Sequence, residues 1–115
     1  MDELSSTMII KALDGLSLRQ EYTAQNIANA GSPDYRPMRV TFEESLRAAA
    51  KKGVQAIRDV APAAETVPMA PGSSGMRLDL ELATAAQTAE RYGALMNLLS
   101  RQLELRHAMI TEGGR

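Results

Sequence analysis

The sequence contains no cysteine and no tryptophan, and its 115 residues include one phenylalanine, three tyrosines and one histidine. The absence of cysteine excludes a disulfide framework and a thiolate metal site. Aromatic and β-branched side chains, which favour a pleated surface, are too scarce to support a large sheet. Alanine, leucine and methionine carry most of the apolar content, and these residues suit helices. The composition therefore predicts an all-α chain with a small core.

A dominant charge and a long apolar run are also lacking. The 13 basic and 14 acidic residues give a net charge of −1 and occur in mixed order, without a basic stripe. Nucleic acid is therefore not an expected partner. No apolar run approaches the ~20 residues that cross a bilayer, and the first residues lack the basic start and apolar stretch of a cleavable signal peptide. We expect neither a membrane span nor Sec-type export.

The residues needed for a catalytic centre are missing. His107 is the single histidine, and a lone histidine near a helix end is more often a dipole partner than a base. The acidic pair Glu43 and Glu44 would diverge by about 100° on a helix, so the two carboxylates would not converge on a metal. No phosphate-binding glycine loop or nucleophile elbow occurs. We expect no enzyme activity, no cofactor, no metal and no small-molecule substrate.

The first predicted helix covers residues 4–30, a stretch without proline. Its apolar positions alternate at spacings of four and three, which places them on one helix face. Gly15 in its interior costs about 1 kcal/mol relative to alanine, so we expect the isolated helix to fray. Gly31, as a left-handed cap, and Pro33 are predicted to end it. The apolar members of the face are Ile9, Leu13, Leu16 and Ile27.

The second predicted helix covers residues 80–110, with Asp79 as its N-cap. Apolar residues again alternate by three and four, and Arg106 is the residue that interrupts them. Leucine and methionine residues off this face predict a second apolar flank, so the helix is expected to contact more than one neighbour. The predicted coiled-coil seam consists of Leu82, Ala85, Ala89, Tyr92, Met96, Leu99, Leu103 and Ile110.

The segment between the helices is predicted to hold a short helix and an irregular loop. Thr41 and Glu44 have the spacing of a capping box, which predicts a helix over residues 42–52. Residues 59–77 are rich in proline, glycine and serine, a composition that favours an extended or mobile loop. The predicted organisation has three parts: an N-terminal helix and turn (1–35), a short helix plus flexible loop (36–78), and a C-terminal coiled-coil helix (79–115) that forms one domain with the first part.

The end of the first helix has an unusual composition. Two asparagines lie three residues apart on its closing turn, although asparagine is a middling helix former, and a turn and a tyrosine follow. A polar helix end capped by asparagine is one explanation. We call this segment the signature turn, and its defining residues are Asn26, Ile27, Ala28, Asn29, Ala30, Ser32, Pro33 and Tyr35.

The signature turn resembles a pattern of the axial proteins of the bacterial flagellum, A-x-N-[IL]-A-N-[AV]-x-T-P-G-Y. Ser32 in place of Thr keeps the hydroxyl, and Asp34 replaces Gly at a position where Asp tolerates left-handed geometry. Residues 39–46 (RVTFEESL) and 78–81 (LDLE) are similar to segments of the flagellar basal-body rod protein family, and in particular of its proximal rod type, FlgB. The resemblance extends over the chain except for residues 54–76.

The resemblance implies a structural subunit of the proximal flagellar rod, located in the periplasm and exported by the flagellar type III system without a cleaved signal peptide. It implies that the partners are copies of the same chain, other rod proteins, and membrane-ring and export-gate proteins. The paired terminal helices would build a hollow coiled-coil rod and transmit torque. Two alternatives stay open, namely another rod protein of the FlgC type and a small cytoplasmic helical adaptor or chaperone.

Overall fold

The computed structural model describes residues 2–68 and 77–113. Long helices stand at both ends of this part of the chain, so the predicted all-α fold is confirmed, with a small two-stranded sheet as an addition. The elements in chain order are α1 (Glu3–Ala28), β1 (Met38–Thr41), α2 (Glu43–Ala50), α3 (Val54–Arg58), β2 (Ala63–Thr66) and α4 (Leu78–Gly113).

Helix α1 is capped by side chains at both ends. The Asp2 carboxylate accepts a hydrogen bond from the backbone N–H of Ser5 at 2.8 Å, which satisfies a free donor of the first turn. At the other end Asn29 donates both its backbone N–H (3.1 Å) and its side-chain Nδ2 (2.8 Å) to the carbonyl of Gln25. Gly31 does not adopt a positive φ. The prediction of a left-handed cap at Gly31 is therefore wrong, because Asn29 already closes the helix.

The middle segment is more ordered than its composition suggests. Strands β1 and β2 pair antiparallel, with Val40 opposite Ala64, and α2 and α3 lie between them in the chain. Gly53 has φ 113°, which allows the tight turn from α2 into α3. Residues 54–66 of the expected irregular loop instead form α3 and β2, because Ile57 is fully buried and anchors α3. Residues 69–76 of the predicted loop lie outside the described residues.

The predicted capping box does not form. Thr41 is the last residue of β1, and Phe42 occupies the N-cap position of α2 without a side-chain cap hydrogen bond. Phe42 is buried, so the chain stays extended through Thr41 to direct the ring inward. Glu44 pairs instead with Arg47 at 2.7 Å. Helix α2 is therefore shorter than the predicted helix at both ends.

Helix α4 begins at Leu78, one residue before its predicted cap. Asp79 therefore lies inside the first turn, and the prediction that it caps the helix is wrong. Its carboxylate accepts hydrogen bonds from the Arg77 guanidinium at 2.8 and 3.2 Å, and these lower the pKa of Asp79 below its usual range. A carboxylate in the first turn also interacts favourably with the helix dipole.

The core lies between α1 and the middle segment, and α4 packs along another side of α1. Helices α1 and α4 are antiparallel, because Asn26 contacts Glu81 whereas Ala12 and Leu95 line one groove near the other end of α1. Thr88 is the residue of α4 that is buried in the described structure. The molecule measures 68 × 27 × 14 Å, and no helix in the described ranges is both long and apolar enough to cross a membrane. The buried core cluster comprises Leu16, Val40, Phe42, Leu46, Ala49, Ile57 and Val60.

Candidate assembly site

Asn26 is the centre of the signature turn and is only 1% exposed. Its Nδ2 donates to the Met38 carbonyl at 2.8 Å and to Glu81 Oε2 at 3.0 Å. Its Oδ1 accepts from the Tyr35 hydroxyl at 2.8 Å and from the Met38 backbone N–H at 3.0 Å. The side chain thereby joins the end of α1, the turn, the first residue of β1 and the first turn of α4.

These four bonds use both donors and both lone pairs of the Asn26 amide. Two of the bonds engage the backbone N–H and the carbonyl of Met38, as a residue of a neighbouring strand would. A buried polar network is stable when every member is satisfied, and no buried side-chain nitrogen or oxygen atom of the described residues lacks a partner. Asn26 is therefore a fixed structural centre rather than a group free to bind a ligand.

Tyr35 belongs to the same network, because its hydroxyl donates a hydrogen bond to Asn26 Oδ1. Burial raises the pKa of its phenol above the ordinary value of 10.0, and the nearby Glu81 carboxylate and Tyr22 act in the same direction. The phenol is neutral at physiological pH and so keeps the proton that it donates to Asn26.

The rest of the signature turn faces outward. Ala28, Ser32 and Pro33 are exposed, whereas Ile27, Asn29 and Ala30 are half-buried. The outward part of the turn and Leu78 of α4 line a shallow pocket of ≈ 320 Å³. Sequence reasoning treated the signature turn as one unit, but the structure divides it into an inward part, Asn26 and Tyr35, and an outward part.

A second group of contacts holds the middle segment on α1. The Phe42 ring lies against Gly15, so closely that a Cβ on this glycine would overlap the ring. The Arg19 guanidinium stacks on the same ring, 4.9 Å from its centroid. Arg19 also donates to the Val40 carbonyl at 2.8 Å and forms a two-bond pair with Glu43 at 2.6 and 2.7 Å. We call these residues the Phe42 joint.

Glu43 connects the Phe42 joint to α4 as well. Arg91 of α4 approaches Glu43 Oε2 at 3.9 Å, the same oxygen that accepts a hydrogen bond from Arg19. The hydrogen bonds from Arg19 lower the pKa of Glu43 below its ordinary value of 4.5. The Glu43 side chain is 44% exposed, so solvent screens these charges and the ion pairs contribute modestly to stability.

The predicted helix seam is divided between the interior and the surface. Its α1 members Ile9, Leu13 and Leu16 are buried, and Ile27 is half-buried. On α4, Ala85 and Leu99 are half-buried, and the remaining members are exposed. The face of α4 that meets α1 is turned by about one residue from the predicted seam, since Thr88 is buried and Ala89 is not.

The exposed members form an apolar stripe along α4. We call it the α4 stripe, and it consists of Leu82, Ala89, Tyr92, Met96, Leu103 and Ile110. Leu82, Leu103 and Ile110 are more than half exposed. Exposed apolar residues grouped in this way are typical of surfaces that contact another molecule. Leu80, Leu98, Leu105 and Met109 lie on the other flank of the helix and are also exposed.

The chain is similar to a flagellar rod protein. It is 45% identical over 47 residues to the flagellar basal body rod protein FlgB of Borrelia hermsii. The matched region covers 41% of this chain and 35% of the relative, so the chain matches about a third of the relative's length. No family model matches the chain.

Several residues of these two networks were not predicted as site residues. Gly15 carried a usable signal, because a glycine in a helix interior often marks a close approach of another segment. Nothing in the sequence around Glu81 or Met38 indicated their roles, because their partner Asn26 lies 55 and 12 residues away in sequence. No group of three or more histidine, cysteine, aspartate or glutamate residues within 2–68 and 77–113 is placed to hold a metal ion.

Proposed function

We propose that this chain is a structural subunit of the bacterial flagellar rod, of the proximal FlgB type, which assembles through its terminal helices into the hollow axial rod. The observation that carries the proposal is the similarity to FlgB over 47 residues. In this role the subunit connects the membrane ring and export gate to the distal rod, and its partners are copies of itself and other rod proteins.

The surface of the molecule supports an assembly role. The α4 stripe leaves large apolar side chains in contact with water, and Leu103 and Ile110 are 55% and 68% exposed. Removing such side chains from water contributes about 1.5–3 kcal/mol each when burial is complete. Contact with neighbouring subunits supplies that burial, so the assembled state is the stable one.

The Phe42 joint and the Asn26 network support a mechanical role. Both tie the middle segment and α4 to α1 through buried or charge-assisted contacts. Torque applied to one helix is then carried to the other without slippage at these points. Export through the flagellar type III channel and a periplasmic location belong to the same proposal, and the resemblance in the signature turn supports them.

The direct test is fractionation of the bacterium that encodes the chain. Purified basal bodies should contain the protein, and deletion of its gene should abolish swimming. Wild-type protein should restore swimming, whereas Leu103→Asp should not. A protein found in the cytosolic fraction, in cells that swim after the deletion, would favour a cytoplasmic helical adaptor. Basal bodies that keep the protein while Leu103→Asp swims normally would contradict the α4 stripe as the contact surface.

A further inference from the structure

The small sheet has two outer edges, one on each strand, and its hydrogen-bond pattern determines which residues face them. Val67 donates its backbone N–H to the Pro37 carbonyl at 2.9 Å, so these residues form a hydrogen-bonded pair next to the ladder. Hydrogen-bonded and non-hydrogen-bonded pairs alternate along antiparallel strands, and the residues of a non-hydrogen-bonded pair turn their backbone groups away from each other. The residues that face outward are therefore Met38 and Val40 on β1 and Ala64 and Thr66 on β2.

Helix α1 covers the outer edge of β1 with two side chains. Asn26 accepts a hydrogen bond from the Met38 N–H at 3.0 Å and donates one to the Met38 carbonyl at 2.8 Å. Arg19 lies two turns earlier on the same helix face and donates to the Val40 carbonyl at 2.8 and 3.3 Å. Three of the four outward backbone groups of β1 thus have partners on α1. Thr23 stands between these two side chains and is 4% exposed, which completes the cover.

Helix α4 is separated from this edge by open space. A cavity of ≈ 500 Å³ lies between β1 and the first turns of α4, and residues of both elements line it. Leu80 on the α4 side of the cavity is 54% exposed. Among the residues that the structure describes, side chains of α1 therefore close the edge of β1.

The outer edge of β2 is open. The backbone groups of Ala64 and Thr66 that face outward form no hydrogen bond with a residue of 2–68 or 77–113, and such an edge is a template for another strand. Antiparallel pairing with β2 of a second copy would place Glu65 opposite its own copy, and like charges at facing positions are destabilising. A shift by two residues would bring Pro62 or Pro68 into the ladder, and proline has no N–H to donate.

Pairing of β2 with the outer edge of β1 from a second copy avoids these conflicts. When the outward residues of the two strands bond each other in antiparallel register, Arg39 of one copy lies directly opposite Glu65 of the other. Both side chains are exposed, and neither forms an ion pair within the described residues. Opposite charges at facing positions stabilise a strand pair. The two edges are therefore complementary in both hydrogen bonding and charge.

We infer that the outer edge of β1 is a latent pairing site for strand β2 of a second copy, and that Asn26 and Arg19 of α1 keep this site closed. The amide of Asn26 makes the two bonds to Met38 that the incoming strand would make, so the strand and the amide exclude each other. If the amide were absent, every copy would present one open edge of each kind, and strands would add without closure. This contact involves the middle segment rather than the terminal helices, and it is independent of the proposed function.

Cysteine cross-linking of the full-length chain tests this inference, because the chain has no cysteine of its own. The inferred register places Thr41 of one copy opposite Ala63 of the other, and both residues are exposed. A tagged Thr41→Cys chain is mixed with an untagged Ala63→Cys chain and oxidised with copper phenanthroline. Mixed disulfide dimers should match those of a control in which Arg47→Cys replaces Thr41→Cys. With Asn26→Ala in both chains they should rise at least about fivefold above that control, because the bonds that close the edge are lost.

The opened variants must keep their fold during cross-linking. Circular dichroism at the cross-linking temperature checks Asn26→Ala, which loses four hydrogen bonds. Arg19→Met is a milder opening variant, since it keeps an apolar stem beside Phe42 and loses the bonds to Val40. It should raise the mixed dimers in the same direction, and it decides the test if Asn26→Ala unfolds. No increase over the Arg47→Cys control in a variant with the wild-type spectrum would overturn the inference.

Charge reversal distinguishes the inferred register from unspecific aggregation. In the Asn26→Ala background, Glu65→Arg in the Ala63→Cys chain places like charges opposite each other and should reduce mixed dimers about threefold or more. Arg39→Glu in the Thr41→Cys chain should then restore them. Mixed dimers that do not respond to Glu65→Arg would show that the chains associate in another way, and this result would also overturn the pairing of β1 with β2.

Discussion

The ring of Phe42 occupies the space that a side chain on Gly15 would fill. This contact decides which residues the middle of α1 tolerates. A glycine inside a helix weakens the helix by about 1 kcal/mol relative to alanine, and here that loss is offset by the burial of an aromatic ring. The Phe42 joint therefore depends on the absence of a single methyl group.

Gly15→Ala should destabilise the chain although alanine is the better helix former. The added methyl group overlaps the Phe42 ring, and overpacking of this kind costs about 1–3 kcal/mol. Gly93→Ala is the matched control on α4, because a Cβ there meets nothing within 4 Å. It should stabilise the chain by about 0.5–1 kcal/mol. Urea unfolding followed by circular dichroism measures both, and equal shifts in the two variants would contradict the close contact.

The same substitution at the two asparagines of the signature turn should have different effects. Asn26→Asp places a carboxylate beside Glu81 and removes both donated hydrogen bonds, so it should cost about 3 kcal/mol of unfolding free energy. Asn29→Asp loses one bond to Gln25 at a partly exposed helix end and should cost less than about 1 kcal/mol. Thermal unfolding at pH 7 measures the loss of unfolding free energy in each of the two variants. Equal losses would mean that Asn26 is not the structural centre of the turn.

Acid should weaken the Phe42 joint through Glu43. Because its pKa is depressed in the folded state, its ion pair contributes stability above the ordinary value of 4.5, and that contribution is lost as pH falls through the lower folded pKa. Glu43→Gln should therefore lower stability at pH 7 by at most about 1 kcal/mol, and the stabilities of wild type and variant should converge as the pH falls well below 4.5. Glu44→Gln is the control: its pair with Arg47 is largely exposed, so this variant should lie within about 0.5 kcal/mol of the wild type at pH 7. A difference in stability between Glu43→Gln and the wild type that stays constant as the pH falls well below 4.5 would contradict the ion-pair explanation.

Leu103→Asp should separate folding from assembly. Leu103 is 55% exposed, so the variant monomer should unfold within about 0.5 kcal/mol of the wild type. Its self-association in sedimentation velocity should be lost, because a carboxylate replaces a side chain of the α4 stripe. Leu16→Asp buries a charge at a position that is 3% exposed and should unfold the monomer itself. A Leu103→Asp variant that still associates would exclude this position from the interface.

Periodicity predicted the two long helices because their apolar spacing is a local property of the sequence. It could not predict which face of α4 meets α1. Apolar residues cover both flanks of α4, and the pattern does not distinguish contact within the chain from contact with another molecule. The structure buries Thr88 and leaves Leu82 and Leu103 exposed, and the apolar pattern alone does not indicate this arrangement.

The errors in the middle segment have a different cause. Strands β1 and β2 are four residues each, and Val40 pairs with Ala64 across α2 and α3, so no short window of sequence contains the pairing. The signature turn was singled out by its asparagines, but the partners of Asn26 belong to other elements. Its composition indicated a special position, and only the tertiary contacts assign its role.

The hydrogen bond from Asn26 to Glu81 also determines how long the molecule is. A shift of α4 along α1 by one heptad would keep the same helix faces in contact while it moved the end of α4 by about 10 Å. The amide of Asn26 meets a carboxylate in only one of these alignments. A single polar contact thus sets the distance between the signature turn and the far tip of α4, and with it the spacing at which successive copies of the chain would repeat.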